Sequence, residues 1–236
     1  MNQTGQAISV IIPALNEVTG LPRTLASVSK ALPSAEIIIV DGGSTDGTRE
    51  LTVPAGARFI SSPRGRGAQM AAGAAEAQRG LLLFLHADTL LPPESAAVLA
   101  MAFADLRTQI GAFRLKFDHG DWFLRTSSWF TRFDSVFTRF GDQAIVIRRD
   151  FYTRLGGFKP WPLFEDVELL GRARRRTKVV SFPACVTTSA RRFQQRGQFR
   201  QQCLNGWLLI RFLVGTSPHK LAREYRTRVS TAITTP

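Results

Sequence analysis

Residues 81–85 read Leu-Leu-Leu-Phe-Leu, and this apolar run stops abruptly at His86-Ala87-Asp88-Thr89. A run this short, apolar at every position, reads as a strand inside a parallel sheet. Its polar end then delivers side chains to the crevice beyond the strand's carboxyl edge, where open α/β sheets bind ligands. The same pattern occurs twice upstream. Ile8–Ile12 is closed by Pro13 and followed by the loop Ala14–Glu17, and Glu36–Val40 runs directly into Asp41-Gly42-Gly43-Ser44-Thr45-Asp46-Gly47-Thr48. Helical stretches fill the gaps at Gly20–Ala31, near Thr48–Val53 and at Ala68–Gln78, with a further strand at Ala57–Ser61. This alternation predicts an α/β fold: a Rossmann-like, mostly parallel, doubly wound sheet flanked by helices, with right-handed crossovers. A single domain over residues 1–193 and a basic helical extension over residues 194–236 are expected, the latter with a helix at Gln194–Gly215, a break at Thr216-Ser217-Pro218 and a frayed end from Thr227.

The strand ends carry the chemistry. Asp88 reads either as a carboxylate for a divalent metal on a ligand's diphosphate or as the N-cap of a helix starting near Pro92. The glycines of the Asp41–Thr48 loop allow close backbone approach to a ligand, and Asp46 or Thr45 is suited to cap the helix that follows. Pro63-Arg64-Gly65-Arg66-Gly67 places basic residues and glycines at a helix N-terminus, an anion-binding arrangement that matches the Walker A loop poorly.

Charge is segregated along the chain. Met1–Gly171 holds 17 Lys/Arg against 17 Asp/Glu, whereas the last 65 residues hold 14 Lys/Arg against one acid, Glu224, and so account for the whole net charge of +13. Such a segment attracts polyanions: diphosphates, anionic lipid surfaces or nucleic acid. Nucleic acid is disfavoured, since neither a zinc-finger spacing nor an RRM signature accompanies the charge. Residues 121–140 hold seven aromatics, with Phe130, Phe133, Phe137 and Phe140 on one helical stripe and Arg125, Arg132 and Arg139 on another face. That is either a membrane-interface helix or a core-facing one with ordinary surface arginines. The first residues are too polar for a signal peptide, and no apolar run reaches the length of a membrane span. Cys185 and Cys203 lack CxxC spacing and suggest no zinc site. A cytoplasmic protein, with contact at the inner membrane face as an option, is expected.

Pro13–Glu17 (PALNE), Val40–Thr48 (VDGGSTDGT), Arg64–Gly67 (RGRG) and His86–Asp88 (HAD) follow one another at successive strand ends. Downstream come Gly141-Asp142-Gln143, Leu155-Gly156-Gly157-Phe158 and Phe164-Glu165-Asp166-Val167-Glu168-Leu169. Together these resemble the inverting family-2 glycosyltransferases of the GT-A fold, over about residues 8–195. The HADT variant and Ser189–Phe193 resemble a small subgroup of unknown acceptor described beside radical-SAM-type genes. The resemblance implies transfer of a sugar, of hexosyl type, from a nucleotide-diphosphate donor, UDP foremost, to a hydroxyl acceptor, with a lipid-linked acceptor as one option. It implies Mg²⁺ or Mn²⁺ held by Asp88, with Asp166 as general base beside Glu165. The donor contacts that it implies are Pro13, Ala14, Asn16, Glu17, Asp41, Gly42, Ser44, Arg64, Gly67, His86 and Ala87. Asp142, Gln143, Arg191 and Arg192 fall on the acceptor and diphosphate side. His86 departs from the family, replacing the first acid of the usual Asp-x-Asp. Glu165 and Asp166 also suit the N-terminus of a helix over Val167–Arg176 without any catalytic part. Two rivals stand beside this reading: a nucleotidyltransferase, and a basic membrane- or nucleic-acid-binding module on a catalytically dead scaffold.

Overall fold

The computed structural model describes residues 8–52, 57–118, 143–189 and 198–231, with the backbone alone at 52, 198–202 and 226–231. The first half is the expected alternation of β1 (Ile8–Ala14), α1 (Leu21–Ala31), β2 (Glu36–Asp41), α2 (Thr48–Thr52), β3 (Arg58–Ser61), α3 (Arg66–Glu76) and β4 (Leu81–Phe84). The second half contains β5 (Thr89–Leu90), α4 (Ser95–Ala104), β6 (Ile110–Phe117), β7 (Ile145–Arg148), α5 (Arg149–Arg154), α6 (Glu165–Arg174), β8 (Val180–Thr188), α7 (Gln198–Leu213) and α8 (Pro218–Thr231). The eight strands among the described residues join one sheet, ordered β3-β2-β1-β4-β7-β6-β8-β5.

β1 pairs in parallel with β2 and β4, and β2 with β3. Beyond β4 the sheet is mixed: β7 is antiparallel to both its neighbours, β5 is antiparallel to β8, and β6 and β8 are parallel. An apolar run fixes that a strand is buried but not its direction, so the antiparallel insertion of β7 had no signal in the periodicity. β1 continues through Pro13 to Ala14 rather than ending there. Its ladder with β4 stops at Ile11, so Pro13 has no β4 neighbour in register to lack a donor for.

Successive β1 side chains serve the two sheet faces. Ile8, Val10 and Ile12 pack with Leu21, Leu25 and Val28 of α1 and Leu99 and Phe103 of α4. Ile11 packs with Ile38 and Val40, Met70 and Ala74 of α3, and Leu169 and Leu170 of α6. Burying each such side chain contributes about 1.5–3 kcal/mol. The small residues of α3 have a specific use: a Cβ on Gly73 would lie 2.4 Å from Ile11 Cγ2 and 2.9 Å from Val40 Cγ2. Glycine there lets α3 seat directly on β1 and β2, which aims its N-terminus, Gly65-Arg66-Gly67, at their carboxyl ends. Buried Gln69 fixes the seat by donating from Nε2 to the Ala14 and Val40 carbonyls, both at 2.8 Å.

At the chain's end the Thr216-Ser217-Pro218 break restarts a helix, because proline at a helix's first residue lacks only a hydrogen bond that position would not make. α8 then runs to Thr231, past the expected fraying point. No helix among the described residues is long and apolar enough to cross a membrane. The aromatic stretch 121–140, Asp142, Arg191 and Arg192 lie outside the described residues.

Candidate active site

The loops after β1 and β2 are laced to one another. Asn16, at φ 56°, donates its N–H to Ser44 Oγ (2.9 Å) and accepts the Thr45 N–H at Oδ1 (2.9 Å). The Glu17 N–H reaches Thr48 Oγ1 at 2.9 Å, and the Val18 N–H reaches Asp46 Oδ2 at 3.1 Å. Asp46 Oδ1 also accepts the Thr48 hydroxyl (2.5 Å) and N–H (3.1 Å), and that hydroxyl foremost holds the Asp46 carboxyl below its ordinary range. Asp46 is therefore a clasp joining two loops as well as the turn residue before α2. Asp41, buried at the end of β2, accepts the Gly43 and Ser44 N–H groups at 3.0–3.1 Å, which fixes its carboxylate at the rim. Gly42 donates to the Ala14 carbonyl at 3.0 Å, and a Cβ on it would meet the Gln69 amide at 3.1 Å. Pro13 and Ala14 form the buried floor, and Arg64 is exposed at the loop before α3.

The His86–Thr89 turn is held from several sides. Thr24 of α1 donates to the Ala87 carbonyl at 2.7 Å, the Ser189 N–H donates to the Asp88 carbonyl at 3.2 Å, and Thr89 Oγ1 meets Thr188 Oγ1 at 3.0 Å. The next helix begins only at Ser95, with Glu94 at its N-cap, so neither Asp88 nor Thr89 caps it. Asp88 instead lines a cavity of about 230 Å³ with Glu17, Gly20, Arg23, Asp118 and Thr188.

The carboxylate pair lies at the start of α6. The expected helix began at Val167; the observed one begins at Glu165, which makes both acids its first two residues, at the positive end of the helix dipole. Glu165 is 1% exposed and Asp166 8% exposed. Arg66 Nε approaches Glu165 Oε1 at 3.2 Å. Burial foremost pushes the Glu165 carboxyl above its ordinary range; Arg66 opposes the rise, Asp166 adds to it, and His86 is close enough to be felt. The RGRG loop, the HAD turn and the ED pair, far apart in sequence, thus meet in one corner. Glu168, in the same motif, is an anchor. It grips Arg172 and takes Lys159 Nζ at 2.7 Å, and Arg172 in turn donates to the Leu155 and Gly157 carbonyls of the GGF turn. Burial would raise the Glu168 carboxyl, but Arg172 and Lys159 hold it below its ordinary range. Gly67 locks the corner: a Cβ there would stand 2.2 Å from the Lys159 carbonyl oxygen and 2.8 Å from Trp161 backbone atoms. Gln143 is buried at the foot of β7.

The structure adds residues that motif reading passed over. Asp118 directly follows β6 and lines the same cavity as Asp88, so a carboxylate just past a strand's carboxyl end was available as a signal. Arg23, Gln69 and Phe212 offered none: Gln69 and Phe212 act through contacts distant in sequence, and only the fold brings Arg23 to the cavity beside Asp88. Among the described residues no group of three or more His, Cys, Asp or Glu could hold a metal alone. The oxygen-donor set around Asp88 fits a hard cation that brings phosphate oxygens and water with it and needs few protein carboxylates.

The chain is similar to known proteins over this region. It is 32% identical over 141 residues to the undecaprenyl-phosphate 4-deoxy-4-formamido-L-arabinose transferase of Aeromonas hydrophila, covering 54% of this chain and 43% of that protein. S. aureus TarS in complex with UDP-GlcNAc superposes with a TM-score of 0.62 at 18% identity, over 77% of this chain and 58% of that one. Glucosyl-3-phosphoglycerate synthase from Mycobacterium tuberculosis, in complex with Mg²⁺ and UDP, superposes with a TM-score of 0.56 at 21% identity, over 77% and 69%. These structural likenesses establish the GT-A architecture. The chain spans less than half the length of the curated relatives it matches. The profile of glycosyl transferase family 2 matches residues 9–162, from β1 through the Gly67 contact loop to just short of Glu165, and the chain belongs to that family.

Proposed function

We propose that the chain transfers a hexosyl group from a UDP-sugar to an acceptor hydroxyl, with inversion. The observation that carries this reading is the corner itself: a buried carboxylate pair at a helix N-terminus, set against Arg66 and His86 of the donor-side loops. Asp41, Asn16 and Ser44 hold the nucleoside end. Asp88 would hold Mg²⁺ or Mn²⁺ together with the diphosphate, and such a cation, when bound, offsets charge on the departing nucleoside diphosphate. Glu165, tied to Arg66, keeps the start of α6 in place, while Asp166 accepts the proton of the acceptor hydroxyl. The acceptor oxygen bonds to the anomeric carbon from the face opposite the leaving group, the bond from that carbon to the phosphate oxygen breaks, and UDP departs. His86, in place of a second acid, suits a hydrogen bond to ribose or phosphate.

The acceptor in this reading is lipid-borne and the place of work is the cytoplasmic face of a membrane. Support comes from the charge of the last 65 residues and from a relative named for undecaprenyl phosphate. Residues 194–236 then form an extension carried on the transferase domain. Donor turnover tests the proposal. UDP release that requires Mg²⁺ or Mn²⁺, with an inverted anomeric centre in the product by NMR, is expected. Release of pyrophosphate instead would indicate nucleotidyl transfer, and the absence of any melting shift with UDP and Mn²⁺ would indicate a dead scaffold, because a ligand of the folded state must stabilise it.

A further inference from the structure

α7 and α8 lie in contact, Leu208, Leu209, Leu221 and Ala222 are buried, and Arg211 of α7 pairs with Glu224 of α8. The pair is seated against the segment that leads into the corner. The Phe212 ring stacks on Phe164 at 4.9 Å and meets Trp161 edge-on at 5.9 Å. Phe164, at φ 62°, is the residue immediately before Glu165. Beyond that contact one edge is uncovered: Ile210, Leu213 and Val214 are 57%, 47% and 76% exposed. Their spacing of three and four residues puts them on one side of the last turn of α7. The chain reverses at Gly215 (φ 94°), and His219, Lys220 and Arg223 of α8 are exposed. An apolar edge flanked by cations is the composition of an element that lies in a membrane interface.

We propose that this helical hairpin tip docks on an anionic bilayer surface. Ile210, Leu213 and Val214 enter the boundary between headgroups and acyl chains, and Lys220 and Arg223 face lipid phosphates. Charge selects this occupant. The last 65 residues carry 14 basic side chains and one acid, Glu224, which is already engaged by Arg211. A second copy of the chain would bring the same positive charge to the contact and be repelled. Because Phe212 joins the tip to Phe164, docking sets the bilayer beside the carboxylate pair, where a lipid-borne acceptor must present its hydroxyl. The inference rests on the lipid-acceptor reading above and names the surface that serves it.

The test is flotation of the full chain with vesicles of phosphatidylcholine alone and of phosphatidylcholine mixed with phosphatidylglycerol. Flotation with the mixed vesicles only, weakened by salt, is expected. Leu213→Asp with Val214→Asp should abolish it, and Lys220→Glu with Arg223→Glu should weaken partitioning by about tenfold or more. Both double variants should keep the melting shift with UDP and Mn²⁺, which shows that they fold. Equal flotation with neutral vesicles, no flotation, or flotation indifferent to the tip substitutions would each overturn the proposal. So would a dimer that Leu213→Asp with Val214→Asp turns into a monomer, since the edge would then belong to a second copy. Flotation without nucleotide binding would sink the transferase reading alone, and UDP release without flotation would sink the docking surface alone.

Discussion

The donor side and the carboxylate corner are built in opposite ways. The donor side is two adjacent loops tied by hydrogen bonds between short polar side chains and backbone, with Asn16, Ser44, Asp46 and Thr48 as the knots. The corner is assembled from residues near positions 66, 86, 159–166 and 212, and its contacts include the Arg66–Glu165 ion pair, the close approach at Gly67 and stacked rings. Damage to the first should loosen a binding surface, whereas damage to the second should displace reacting groups. The two kinds of substitution should therefore separate KM from kcat.

The sharpest break is Asp166→Asn. If Asp166 is the base, kcat for UDP release falls by about 10²–10⁴-fold while the donor's KM barely moves. Steady-state kinetics with donor and acceptor varied separately would check this, and a normal kcat would move the base elsewhere. Next in size is Gly67→Ala. Its methyl group would overlap the Lys159 carbonyl, so the 159–164 segment must shift, and Glu165 with it. Overpacking of this kind costs about 1–3 kcal/mol of stability. A displacement of order 1 Å at the reacting groups costs about 10²-fold in rate. Thermal unfolding alongside kcat would show both losses, and a stable variant of full activity would mean that the close approach is unimportant.

This contrast also explains what could be read from the sequence. The parallel half of the sheet was legible because β1, β2 and β4 are apolar runs followed by polar residues, and the loops Asn16–Val18 and Ser44–Thr48 were legible because their glycines, asparagine and aspartates are local turn chemistry. The direction of β7 was not, since its apolar run, Ile145-Val146-Ile147, reads the same forwards or backwards. The bond from Arg66 to Glu165 spans 99 residues of chain and leaves no mark in either motif. Likewise Phe212 looked like one more apolar residue of a terminal helix, and only packing places it on Phe164. Glu168 was submerged in the acidic run Glu165-Asp166-Val167-Glu168, where composition does not separate the anchor of the GGF turn from the acids of the corner.

On the donor side, Asp46→Ala removes the clasp without touching the corner. The Val18 and Thr48 N–H groups lose their acceptor, the two loops part, and the donor's KM should rise while kcat stays nearly constant. A lowered melting temperature that UDP with Mn²⁺ restores would agree, because ligand binding supplies the order the clasp gave. A fall in kcat at unchanged KM would instead couple the donor loops to the chemistry and erase the distinction between the two regions.

The smallest effect is also the most specific to the corner. Burial raises the Glu165 carboxyl above its ordinary value near 4.5, despite Arg66. For a group whose pKa is raised on folding, the stability it lends is fully present below the unfolded value and is lost as pH climbs through the folded one, because the folded state holds its proton longer than the unfolded chain does. Glu165→Gln removes that titration. The variant's stability relative to the parent should therefore increase as pH rises from about 4.5, and level off once Glu165 in the parent is fully ionised. Denaturant unfolding across that range would reveal the trend. A difference that instead falls as pH rises would mean that the ion pair with Arg66 holds Glu165 ionised below its unfolded range in the folded chain. The corner would then be an electrostatic clasp like the one at Asp46, and the difference between the two regions would lie only in how far apart in sequence their partners are.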